Sequence, residues 1–199
     1  MNLKVYYRLH IRFKRFLDWI FSISISQNLS VCGTGFLVKS PALILGGKNI
    51  EVGNNFRSLE NLRLECWLKY QGVKHNPAIK IGDNVSCGFN VHISCINKIE
   101  IMDNVMFGSN ILVVDNYHGG SDSVDLAINP ANRPLRSKGP IVIGKNTLVG
   151  DHVVILSNVT IGENVIIGAG SVVTKSIPDN SVSIGNPSRV IKTTRGSAS

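Results

Sequence analysis

Ile141-Val142-Ile143-Gly144-Lys145-Asn146 is the stretch that decides the fold, because the chain writes it again as Val159-Thr160-Ile161-Gly162-Glu163-Asn164 and, earlier, as Ile79-Lys80-Ile81-Gly82-Asp83-Asn84. Looser copies stand at Ile50-Glu51-Val52-Gly53-Asn54-Asn55 and Ile99-Glu100-Ile101-Met102-Asp103-Asn104. Around the first copy an aliphatic residue returns every sixth position, at Ile143, Val149, Ile155, Ile161, Ile167 and Val173, with glycine after it at Gly144, Gly150, Gly162 and Gly168. Four positions after each aliphatic comes Thr147, Val153, Val159, Val165, Ser171 or Ile177, a compact or branched side chain. A period of six is not helical. It suits short strands whose β-branched residues turn inward, each closed by a tight turn where Gly or Asn accepts left-handed backbone. Three steps, Ile143 to Ile161, make one triangular coil. One coil cannot bury its own apolar face, so coils must stack.

The pattern resembles the hexapeptide-repeat acyltransferases, over roughly residues 30 to 192. The resemblance implies an all-β fold, a left-handed parallel β-helix; the hand departs from the usual right-handed crossover and comes from the resemblance, not from the spacing. The expected division is a basic amphipathic helix at 1–27, the β-helix at 28–192 with an extruded loop at 115–139, and a frayed, disordered tail at 193–199.

At 199 residues the chain can bury a real core. A narrow prism interior favours Ile and Val over rings. The formal net charge of +8 points to anionic partners, a phosphorylated ligand or a membrane surface; no recognised motif accompanies it, so nucleic acid is not expected. Cys32, Cys66, Cys87 and Cys95 show no metal-ligand spacing and read as reduced and structural. No export signal opens the chain, so a cytoplasmic location is expected.

Residues 3 to 21 read as a helix, rich in aromatic residues and interrupted by Lys4, Arg8, Arg12, Lys14 and Arg15, which make it a poor membrane span. It either packs on the end of the β-helix or against a neighbouring subunit, or makes peripheral membrane contact through residues 1–25. Early coils look degenerate, with Val31, Leu37, Leu43, Val52, Leu62, Leu64 and Leu68 as inward candidates. Residues 68 to 77 leave the prism as a loop. The coil from Ile81 to Ile101 holds two residues more than three hexapeptides, for which a bulge at Asn97-Lys98 is expected. Between Asp115 and Gly139 the six-residue phase disappears, and such long connections are often functional.

Acyl transfer from a thioester to a hydroxyl needs a base, an oxyanion donor and a grip on the thioester carrier. No nucleophile elbow is visible, so direct attack assisted by one base is the simpler scheme. His118, at the head of the polar loop, is the candidate base, since imidazole titrates near neutral pH. The resemblance to the galactoside and maltose acetyltransferase branch implies the same, for a catalytic His stands there just after a coil. Asp115 or Asn116 is expected to orient the ring or meet the acceptor. His92 reads as a solvent-facing strand residue near the same cleft, and His152 as a turn residue bordering the cofactor. The resemblance also places an acceptor contact at Asn90, against which stands the plainer reading of an Asn tolerated at a turn.

The segments 168–175 and 185–192 match the family's C-terminal signature, which implies that acetyl-CoA runs along the coils beside Gly150, Ala169, Gly170 and Thr174, with Lys175, Arg189 and Lys192 meeting its phosphates. Many relatives carry Trp in a Val-Trp-Ile-Gly phrase; this chain has Thr147-Leu148-Val149-Gly150, followed by Asp151 where a smaller polar residue is common. The acyl or acceptor pocket is therefore expected to differ from that of the simple sugar enzymes. The resemblance further implies a homotrimer with the cofactor between prisms, and a nucleotide-linked, lipid-linked or oligosaccharide sugar acceptor. First comes O-acetylation of an O-antigen or capsule sugar; N-acetylation of a nucleotide-linked amino sugar comes second. A metal-bearing relative would need three placed histidines, and only His92 and His118 pair plausibly, so no metal is expected; the cofactor signature argues against a non-catalytic scaffold.

Overall fold

The computed structural model describes residues 3–120 and 123–194. After an N-terminal helix, α1 (Leu3–Ser26), the chain winds through three sheets in turn and returns to the first at each coil. The first and third sheets have six strands and the second has eight; all pairings within them are parallel except the last, between Ser181–Ile184 and Arg189–Thr193. This is a left-handed parallel β-helix. Ile143, Val149, Ile155, Ile161, Ile167 and Val173 are all buried in one core, as the six-residue rhythm requires.

The repeated Gly-x-Asn has two separate causes. A Cβ on Gly144 would lie 2.5 Å from the carbonyl carbon of Gly162 in the coil above, so only glycine lets the coils stack there. Asn55, Asn84, Asn104, Asn146, Asn164 and Asn180 take φ between 55° and 61°, the left-handed region that Asn tolerates. Each amide donates to the next along the column at 3.0–3.1 Å. A second column, at the corner between the second and third sheets, joins Asn61, Asn90 and Asn110 at 2.8 Å.

Several expectations are corrected. The helix runs to Ser26, five residues past Phe21. Val31 and Leu43 point outward, because they pair in register with Glu51 and Arg63 on the outer face. Val38, Ile50 and Phe56 fill the interior instead, and Leu68 stays exposed at the base of an antiparallel hairpin, Lys69–Tyr70 with Val73–Lys74, that leaves the prism. Two rings do enter the core. Phe107 fits because Cys87 and Ser58, both small, stand beneath it in the same column. The two surplus residues of the Ile81 coil sit at the corner Ile96-Asn97, while Lys98 pairs regularly with Ala78. Thr193 belongs to the final strand; residues 195–199 of the expected tail lie outside the described residues. All four thiols are free, and burial pushes that of Cys87 up to about 12.

Candidate active site

The outer face of the third sheet carries two columns of side chains. Register sets Leu43, Arg63, His92, Leu112, Val154 and Val172 in one. Glu65, Ser94 and Val114 stand in the other. The second and third coils, with Arg63, Glu65, His92 and Ser94, are therefore polar on this face, between an apolar first coil with Leu43 and Leu45 and apolar upper coils. The two chain excursions both spring from the end of this sheet: the hairpin at 69–74 and the loop after Val114.

That loop, expected to be structureless, is built. Tyr117–His118 pairs antiparallel with Leu135–Arg136. A short helix, α2 (Ser123–Ala127), brings Asp125 inward, where its carboxylate accepts from Gly120 N–H and pairs with Arg136 at 2.9 Å. The hairpin reaches back to it: Tyr70 Oη and Gln71 Nε2 donate to the Ala131 carbonyl at 3.1 and 2.9 Å. Tyr70 also presents its ring edge-on to the exposed His118, centroid to centroid 5.3 Å. His118 is thus framed from below by a second excursion.

Asp115 does something other than expected. It is wholly buried, and its carboxylate accepts from Ile96 N and Asn97 N, both at 2.9 Å, and from the Cys95 thiol at 3.2 Å. It pins the corner that absorbs the two surplus residues and presents nothing to an acceptor or to the His118 ring. The Cys95 thiol is raised by its contact with Cys66, by burial and by Asp115. Asn116 donates to Ser94 O at 3.1 Å and to Asp115 Oδ1 at 3.2 Å, so it too is braced against the coil below. Asn90 is a rung of the second amide column with φ 56°. It lies at the turn on the opposite edge of the third sheet from His118. His152 stands in the same corner column in left-handed conformation, φ 60°.

The residues expected to hold the cofactor divide between the two edges of the third sheet. Gly150, Ala169 and Gly170 lie at the edge shared with the second sheet. A Cβ on Gly150 would strike Ala169 N at 2.7 Å, whereas one on Gly170 would meet nothing within 4 Å. Gly150 therefore serves stacking, and Gly170 leaves its surface open. At the other edge Thr174 lines a cavity of about 750 Å³ with Asn116, Tyr117, Leu156 and Lys138, and Lys138 Nζ stands 5.9 Å over the Tyr117 ring. Thr174 also borders a second cavity of about 290 Å³ with Lys175, Ser188 and Arg189. Lys192 sits three residues further along Arg189's strand, opposite Val182. The two cavities share Thr174; the larger sets Arg136 and Lys138 beside apolar Val114, Leu126 and Leu156, and the smaller carries Lys175 and Arg189.

Sequence reading passed over Glu65. It is buried, yet its carboxylate takes Arg63 Nε at 3.0 Å, Trp67 Nε1 at 3.2 Å and His92 Nε2 at 3.1 Å. Trp67 then meets Tyr70 edge-on at 5.9 Å, so one chain of contacts joins His92, Glu65, Trp67, Tyr70 and His118. The signal was present in Arg63-Leu64-Glu65-Cys66-Trp67, polar or amphipathic residues at alternate positions along the strand Leu62–Cys66 and just past its end. With Nε2 on Glu65, His92 has Nδ1 left for other partners. Burial drives the Glu65 carboxyl upward, but the hydrogen bonds from Arg63 and His92 and their charges outweigh it, and the group lies below its ordinary value. A depressed folded-state pKa stabilises the fold above the unfolded value of roughly 4 and loses that contribution as pH falls through the folded one. The melting-temperature gap between the protein and its Glu65→Gln variant should therefore be steady near pH 5.5 and narrow toward about pH 3; a gap that widens on acidification would contradict this.

Among the described residues no three His, Cys, Asp or Glu side chains converge to hold a metal. Residues 140–175 match the family described as bacterial transferase hexapeptide, six repeats. Over 159 residues the chain is 32% identical to a protein of Escherichia coli (strain K12) named for lipopolysaccharide biosynthesis O-acetyl transfer, WbbJ, covering 78% of each. A solved galactoside acetyltransferase in complex with coenzyme A superposes with a TM-score of 0.59 at 30% identity, over 86% of this chain and 68% of that one. AntD, an N-acyltransferase from Bacillus cereus, superposes at 0.70 with 23% identity, over 85% and 87%, a likeness of fold. The chain belongs to the hexapeptide-repeat acyltransferases and is an acetyltransferase.

Proposed function

We propose that this protein transfers acetyl from acetyl-CoA to a hydroxyl of a sugar used in surface polysaccharide, an O-antigen or capsule unit, in the cytoplasm and as a homotrimer. The observation that carries the reading is the pair of cavities joined at Thr174. Adjoining cavities that offer Val114, Leu126 and Leu156 to an apolar chain, and Arg136, Lys138, Lys175 and Arg189 to anionic groups, suit a long pantetheine arm ending in phosphates. Supporting it are the coenzyme A bound to the similar galactoside acetyltransferase and the name of the similar WbbJ. The split of Ala169 and Gly170 from Thr174 and Lys175 across one sheet suits a cofactor held between neighbouring prisms.

His118 takes the proton from the acceptor hydroxyl as its oxygen attacks the thioester carbon. The tetrahedral oxyanion is steadied by a backbone N–H. The C–S bond breaks, and the CoA sulfur leaves with the proton returned by His118. Ser94, Asn116 and the free nitrogen of His92 bind acceptor hydroxyls, with Glu65 and Trp67 fixing the imidazole, while Asp115 only positions the loop.

Thiol release from acetyl-CoA, measured across nucleotide-linked, lipid-linked and oligosaccharide acceptors, tests the reading. Release with a hydroxyl acceptor and an alkali-labile ester product is expected. An alkali-stable amide from an amino sugar would establish N-acetylation instead, and no release with any acceptor would defeat both. Arg189→Ala should raise KM for acetyl-CoA about tenfold with kcat little changed.

A further inference from the structure

Helix α1 closes the open end of the prism with one side only. Asp18, Ser22 and Ile25, spaced i, i+4, i+7, are buried and form one face. Ser22 Oγ donates to Val38 O at 3.0 Å and accepts from Val38 N at 2.9 Å, and Asp18 Oδ1 accepts from Ser40 N at 3.1 Å. These contacts satisfy the edge of Leu37–Val38, the terminal strand of the second sheet. Packing on the prism and contact with something outside are therefore not alternatives.

The opposite side of the helix is left uncovered. Leu9, Phe13, Phe16, Leu17, Ile20 and Ile23 recur at i, i+4, i+7, i+8, i+11 and i+14, which is one continuous stripe, and every one of them is exposed. Phe13 and Phe16 expose 61% and 53% of their surface. Contiguous exposed apolar surface of this kind is rare and marks a protein or membrane contact. Arg8, Arg12 and Arg15 run along one flank at i, i+4, i+7 and, among the described residues, form no ion pair. Asp18, the helix's one acid among the described residues, is turned inward onto Ser40. Trp19, stacked on Phe16 at 6.1 Å, sits where the apolar stripe meets the cationic flank.

We propose that this outward face of α1 lies on an anionic lipid bilayer. Apolar side chains enter the headgroup boundary, guanidinium groups pair with lipid phosphates, and an indole sits at the border. Among the described residues no helix is long and apolar enough to cross a membrane, so the helix rests on the surface. Because α1 covers the end of the prism, the coils stand on the bilayer with their sides free. The inference does not rest on the acetyl-transfer reading.

The test is flotation of the 199-residue chain with vesicles of phosphatidylcholine alone and of phosphatidylcholine with about one third phosphatidylglycerol. Binding to the anionic vesicles, weakened by salt, is expected. Arg8→Gln with Arg12→Gln should weaken it about tenfold. Phe13→Ser with Phe16→Ser should weaken it by at least about tenfold, and circular dichroism checks that the fold, which these side chains do not touch, is intact. Wild-type protein that ignores both vesicles overturns the proposal. So does a Phe13→Ser, Phe16→Ser variant that binds vesicles unchanged while its assembly mass falls, since a second copy of the chain would then cover the stripe. Thiol release without vesicles reports on the enzyme reading separately.

Discussion

Replacing His118 with alanine is expected to lower acetyl transfer by about two to four orders of magnitude and to leave coenzyme A binding nearly unchanged. The ring is exposed and sits on the strand Tyr117–His118. It rests edge-on against Tyr70 at 5.3 Å and its backbone pairs with Leu135, so removing it takes little from the fold. Lys175 and Arg189, which line the smaller cavity, lie two coils above. A residue that acts on the acceptor proton and not on the cofactor should lower kcat and kcat/KM together. The acyl-independent binding of coenzyme A, followed by calorimetry, provides the second readout. Turnover that survives His118→Ala but vanishes in His92→Ala would move the base to the imidazole held by Glu65, whose carboxylate is 3.1 Å from Nε2. Turnover that survives both would end the single-base scheme.

The fold was legible because it repeats. Each copy of Ile-x-Ile-Gly-x-Asn states the same local requirement, an inward aliphatic, a glycine under the next coil and an Asn in left-handed backbone, so consistent local signals add up across coils. Where the repeat decays, the reading slipped by one residue: Leu43 was expected inward, but its partner Arg63 marks that column as the outer one. A period of two turns such a slip into an inversion of the face, and in irregular coils nothing in composition fixes the phase. Phe107 shows the limit in another way, since the space it fills depends on Cys87 and Ser58 one and two coils below.

The candidate site was legible in part, and for a related reason. His118 and the Thr174-Lys175 and Arg189 positions stand in recognisable phrases, so their neighbourhood could be read. Glu65, Trp67 and Tyr70 belong to the coil with the poorest repeat and become neighbours of His118 only because register lifts Glu65 beside Ser94 and Val114. The hairpin then folds back on the loop through Ala131. Contacts across 50 or so residues of sequence leave no periodic trace. Asp115 misled in the opposite direction: a carboxylate three residues from an imidazole suggests a pair, yet the fold turns it inward to the corner below.

Asp115→Ala should therefore act on stability first, with a loss of about 3 kcal/mol and a melting temperature lower by roughly 6–12 °C for a domain of this size. The carboxylate is fully buried and accepts from Ile96 N and Asn97 N at 2.9 Å each. Without it the buried Ile96 N–H loses its acceptor at about 1–3 kcal/mol, the part-buried Asn97 N–H loses one at less cost, and bonds to a charged acceptor are the stronger kind. The Cys95 thiol and the Asn116 amide lose a partner as well. Asp115→Asn retains one oxygen but points an NH2 at one of the two donors, so it should fall between wild type and alanine. Activity measured well below the melting temperature separates position from chemistry. If Asp115 only holds the corner, a variant that remains folded keeps the pH profile of turnover and loses mainly rate, because Asn116 and His118 are less well placed. An unchanged melting temperature with abolished turnover would show instead that this carboxylate reaches the reaction, and the loop would have to open to let it.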